Sequence, residues 1–134
     1  MKEILSTHEA PPAFFNRRVF RDAAITLGLS FIGGFVLGFL RSMLGISWDA
    51  YGILIGVSNL FSCLLGGFIS GLNVTKNVLI RHLQAVGLLV WLFGLLNIAL
   101  GITDFAGFII SALVIAPCLA LGGWLSGFFA KGQS

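Results

Sequence analysis

The sequence predicts an all-helical integral membrane protein with four transmembrane helices, arranged as two tandem helical hairpins of the same orientation. Three observations lead there. The 134-residue chain is 57% hydrophobic and only 10% charged, where a soluble domain carries about a quarter charged residues. Its apolar residues gather into four long runs rather than alternating. A loop and its following helix also recur later in the chain.

The runs cover about Ala23–Leu40, Tyr51–Leu72, Leu79 or Leu83 to Leu100, and Phe105–Ala130. Each has roughly the 17–25 residues needed to cross a hydrocarbon core. Backbone groups in lipid must be satisfied internally, so continuous apolar runs are helices. Residues 1–22 are polar and basic, with Pro11-Pro12 interrupting any early helix. Phe14, Phe15, Val19 and Phe20 alternate there with Arg17, Arg18 and Arg21. That mixture suits a segment at the headgroup level, or an ordinary basic flank to the first span. The expected organisation is an N-terminal segment over 1–22, a four-helix domain over 23–130 and a tail over 131–134.

The connections fall near Ser42–Ala50, Asn73–Asn77 and Gly101–Asp104, short enough to make successive helices antiparallel neighbours. Lys2, Arg17, Arg18, Arg21, Lys76, Arg81 and Lys131 then share one face of the membrane, against Arg41 alone on the other. The positive-inside rule places both termini in the cytoplasm of a multi-pass protein, in a plasma or inner membrane.

At an offset of 56 residues, LGISWDAYGI (44–53) falls on LGITDFAGFI (100–109), and LGGFISG (65–71) falls on LGGWLSG (121–127). The match runs without a gap through a loop, which composition alone does not produce. The repeat halves are about 28–75 and 84–131. Two spans per half give both halves the same orientation, related by a pseudo-two-fold axis along the membrane normal. Ser47 and Thr103 align as candidate caps of the following helices.

Small residues spaced by four share one helix face and let backbones approach. Gly67 with Gly71 and Gly123 with Gly127, accompanied by Ser70 and Ser126, are equivalent through the repeat and predict a contact between the second and fourth spans. Gly34 and Gly38 form a separate patch on the first. The polar residues within the runs are Thr26, Ser30, Ser58, Asn59, Ser62, Gln84, Asn97 and Ser111. Of these, Ser58 and Asn59 are candidates for a polar helix contact or for lining a pore. Asp22, Asp49 and Asp104 fall at span ends, whereas proton-coupled carriers use a titratable group within the membrane.

No catalytic set assembles from these positions, and no metal-ligand spacing is present. Cys63 and Cys118 read as small hydrophobes within apolar runs, and His8 and His82 complete no site. The expected function is therefore non-catalytic: an accessory, scaffold or assembly subunit of a larger membrane complex. The alternative is a small-solute or ion channel or transporter acting as an oligomer. Membrane lipids, and other transmembrane subunits or further copies of the chain, are the expected partners, with no nucleic acid. No cofactor is evident; a lipid or apolar cofactor would fit grooves made by the glycines.

Overall fold

The computed structural model describes residues 14–130. Lys2, His8, Pro11-Pro12 and Lys131 lie outside them. The described chain is helical throughout: α1 Arg17–Leu44, α2 Trp48–Asn73, α3 Lys76–Phe93, the short α4 Leu95–Ala99 and α5 Phe105–Phe129. Counting α3 and α4 as one span, four helices are long and apolar enough to cross a membrane, consistent with a multi-pass membrane protein.

Local chemistry sets the helix ends. The Asn16 side chain accepts from the Arg18 and Val19 amides at 3.0 and 3.1 Å, an N-cap that starts α1 well before its apolar run. The expected boundary at residue 22 therefore falls inside a continuous helix, because a cap and not the first apolar residue begins it. Gly45 ends α1 at φ 64°, with its N–H on the Arg41 carbonyl at 3.0 Å. Gly101, its counterpart in the repeated Leu-Gly-Ile, adopts φ 70°. Ser47 caps α2 through the Ala50 amide at 3.3 Å. Asp104, rather than Thr103, caps α5 through the Gly107 amide at 2.7 Å. Residue Pro117 lies inside α5, which continues through it.

The third span is broken at Gly94, whose N–H turns to the Trp91 carbonyl at 2.8 Å. A side chain at this position would meet the Phe108 ring at 3.2 Å. Trp91 explains the crowding: its indole stacks on Phe108 with centroids 4.5 Å apart and donates to the Phe108 carbonyl at 2.9 Å. The mid-span tryptophan is thus a helix contact between α3 and α5.

The most extensive contact joins α2 to α5. A Cβ added at Gly67 would run into the Leu119 carbonyl, and one at Gly122 into the Leu64 carbonyl and the Phe68 amide nitrogen. These helices touch backbone to backbone. That suits a bilayer, where lipid tails are as apolar as leucine and close packing replaces the hydrophobic effect as the driving force. The α1 helix packs along α2 and also reaches α3, while α3 lies against α5. The buried core comprises Val19, Ala23, Cys63, Ala85, Val86, Val90 and Leu119. These residues come from the start of α1, the second half of α2, the middle and last turn of α3 and the second half of α5, and Ser70, Gly71, His82 and Ser126 are buried further toward the same end. The densest packing is therefore at the end of the bundle that bears the chain termini.

At the opposite end the helices hold together in pairs. Gly34 and Gly38 lie 3.8 and 3.6 Å, measured from an added Cβ, from Ile55 and the Tyr51 hydroxyl of α2. The Arg41 guanidinium stacks over Trp48 at 3.3 Å.

The glycine contacts are graded, and so are their expected effects. Gly67→Ala and Gly122→Ala each drive a methyl into backbone and cost about 1–3 kcal/mol. Gly127→Ala meets open space and gains up to about 1 kcal/mol of helix propensity. Unfolding titrations in mixed micelles measure all three. Equal effects at Gly67 and Gly127 would contradict the close α2–α5 approach.

Candidate functional site

The main polar feature of the bundle is a carboxylate. Asp22 lies one and a half turns into α1, on a stripe with Val19, Ala23 and Thr26, all buried. The helical repeat places these residues on one face. The Asp22 side chain is 0% exposed. A carboxylate removed from water requires charged or hydrogen-bonding partners, and three helices supply them. Oδ1 accepts from Arg21 Nε at 2.8 Å and lies 2.8 Å from its Nη2. Oδ2 accepts from Ser70 Oγ of α2 at 3.0 Å and lies 2.7 Å from His82 Nε2 of α3.

The surrounding small residues make room for this cluster. Thr26 turns its hydroxyl back to the Asp22 carbonyl at 2.9 Å, and its Oγ1 occupies the space that a side chain at Gly66 would need. Gly66 and Ser70 are four residues apart on α2, so one glycine admits α1 while the serine one turn on reaches the carboxylate. His82 shares its face of α3 with Ala85 and Val86, both fully buried. Its Nε2 is held by Asp22.

The contact order defines what the cluster does chemically. With Asp22 ionised, His82 donates from Nε2, and in the neutral ring Nδ1 is left as the acceptor. Ser70 donates to the carboxylate and not to the imidazole. In a nucleophilic triad the imidazole stands between hydroxyl and carboxylate; here the carboxylate stands between the other two. The geometry is that of a structural brace with a histidine at its edge.

Sequence reasoning placed Asp22 at a span end and gave His82 no partner. The structure brings them together because α1 and α3 both start at the same end of the bundle. Asp22 and His82 lie at nearly equal depth, five and six residues from the first residues of their helices. Matching depth on two parallel spans was the available signal.

The residues singled out in sequence separate into distinct environments. Ser126 donates to the Gly123 carbonyl at 2.6 Å and fills the space beside Gly71. A side chain at Gly123 would meet a Leu83 methyl, whereas one at Gly127 meets nothing within 4 Å. Ser58 abuts Gly33 of α1, and its carbonyl accepts from Ser62. Asn59 is exposed. It belongs to a seam, Gly52, Gly56, Asn59, Cys63, Gly67 and Ser70, that repeats at helical spacing along one face of α2. The seam is buried from Cys63 to Ser70 and exposed from Gly52 to Asn59. Nothing lies within 4 Å of a side chain added at Gly52 or Gly56.

No protein-family model matches the chain, and no curated protein or solved structure matches it. The cluster geometry makes its own prediction. Asp22→Ala leaves Ser70 and His82 facing a void and costs about 3 kcal/mol, as expected for breaking a buried pair. Ser70→Ala removes one donor and costs about 1 kcal/mol. A double-mutant cycle between Asp22 and His82, followed by thermal unfolding in detergent, should show strong coupling, and additive effects would refute the contact.

Proposed function

We propose that this chain is a non-catalytic integral membrane protein, an accessory, scaffold or assembly subunit of a larger membrane complex, with both termini cytoplasmic. The observation that carries the reading is the α2 seam. The same face that packs on α5 near the termini continues, through Asn59, Gly56 and Gly52, onto exposed surface. A primary amide facing hydrocarbon is costly, and exposed glycines expose the backbone beside it. Another transmembrane helix resolves both, since its backbone can approach at glycine and its polar groups can meet the amide.

The orientation rests on the basic residues. Arg17, Arg18, Arg21, Lys76 and Arg81 share the end where α1 and α3 begin, and Arg41 is at the other. The tandem relation of the halves has one structural support: Gly45 and Gly101 adopt the same left-handed conformation at equivalent positions of the repeat. The α2–α5 contact is one residue out of register with the repeat, since Gly67 and Gly122 meet the opposing backbone whereas the offset pairs Gly67 with Gly123. Of the Asp22 cluster, Ser70 lies within the repeat, while Asp22 and His82 fall outside its halves.

Site-specific photo-crosslinking in the native membrane tests the assignment. A photoreactive side chain at Gly56 should yield one discrete protein adduct, and one at Phe35, on the exposed outer face of α1, should label lipid. Adding Asn59→Leu should weaken the Gly56 adduct about fivefold, the loss of about 1 kcal/mol for an interhelical polar contact. Lipid adducts alone at Gly56, with solute flux through liposomes carrying the purified chain, would replace a subunit by a transport pathway.

A further inference from the structure

A groove of about 420 Å³ opens beside the buried cluster, between the start of α1 and the start of α3. Its size falls within the roughly 300–1,000 Å³ of small-ligand sites. Arg17, Arg18, Arg81 and His82 line it, with Phe14 and Val78 among its apolar walls. His82, whose Nε2 lies on Asp22, joins the groove to the cluster.

The charge distribution around this groove is one-sided. Among the described residues the carboxylates are those of Asp22, Asp49 and Asp104. Asp49 and Asp104 begin α2 and α5, at the far end of the bundle. Asp22 is engaged by Arg21, Ser70 and His82. Among the described residues, no carboxylate pairs with Arg17, Arg18 or Arg81. Arg81 instead lies over the Phe14 ring, 5.9 Å from its centroid.

The helix ends add to the imbalance. The N-terminus of a helix carries the positive end of its dipole and favours acidic neighbours. Neither α1 nor α3 has an acidic residue in its first turn. Arg17 and Arg18 occupy that of α1, and Lys76 that of α3. Basic side chains at two positive helix ends repel the dipoles and one another. Such an arrangement costs stability in isolation, and an anion in the groove offsets it.

We infer that this groove binds the phosphate of an anionic phospholipid headgroup. Arginine matches phosphate with paired donors. The guanidinium groups of Arg17, Arg18 and Arg81 hold the phosphate, while Phe14 and Val78 take the glycerol and the first acyl carbons. A soluble phosphate shares the anionic chemistry but would leave the apolar walls unused. The basic end of a span-length bundle is also where lipid phosphates lie in a bilayer.

The experiment is native mass spectrometry of the full chain in detergent, titrated with phosphatidic acid and with phosphatidylcholine of the same acyl chains. Inorganic phosphate serves as a separate probe. Phosphatidic acid should be retained over phosphatidylcholine. Replacing Arg17, Arg18 and Arg81 by Gln should weaken it about fivefold per residue, following about 1 kcal/mol per basic group near a membrane surface. Val78→Trp, which fills the groove without changing charge, should weaken it comparably, and Arg41→Gln, at the opposite end of α1, should have little effect. If the triple variant fails to fold, Val78→Trp alone decides. Equal binding of the two lipids, or full binding of phosphatidic acid by Val78→Trp, overturns the site. Arginine-dependent binding of inorganic phosphate with no preference between the lipids overturns its assignment to a lipid.

Discussion

The Asp22 carboxylate constrains the rest of the bundle because its satisfaction needs side chains from three helices at once. Arg21 comes from the same helix, but Ser70 and His82 come from α2 and α3. Each must arrive at the right depth and rotation. Once they do, α1 can neither slide nor turn without stranding a buried charge, and breaking such a pair costs several kcal/mol. The small residues nearby follow from this. Gly66 admits Thr26, and Ala23, Ala85 and Val86 are buried on the same helix faces.

A second constraint acts on α2 and α5. Two apolar helices gain nothing hydrophobic by joining in lipid, and this contact is one of shape and backbone proximity. Gly67 and Gly122 allow that proximity where the packing is densest. The same face of α2 continues to Asn59, Gly56 and Gly52 without meeting another helix among the described residues. One helix face therefore serves twice: over one stretch it holds the fold, and over the next it presents a surface. The proposed role as a subunit follows from this continuation. The proposed lipid site follows from the opposite end, where basic residues crowd two helix starts.

Much of the architecture was legible in the chain. The four apolar runs matched helices in number and approximate extent, because length and composition suffice for a helix in a membrane. Ser47 was legible as a cap. The glycines at 67 and 123 pointed to the α2–α5 contact, although Gly122, next to Gly123, carries the tighter backbone approach. The start of α1 was misplaced by several residues, since Asn16 caps a turn that apolarity does not mark. Asn59 was legible with Ser58 as a candidate polar contact, but its exposure depends on how far α2 and α5 stay together.

By itself, the sequence determined the helical class, the number of long apolar helices, the short connections and the recurrence of Leu-Gly-Ile at the turns. These depend on local composition and on residue types that few backbone conformations accept. Only the tertiary structure decided that Asp22, Ser70 and His82 share one buried cluster, and that half of the α2 seam is left open. The reason is physical. Helix formation is governed by neighbours within a few residues, whereas the pairing of residues 48 and 60 positions apart depends on the rotation and depth of whole helices against one another.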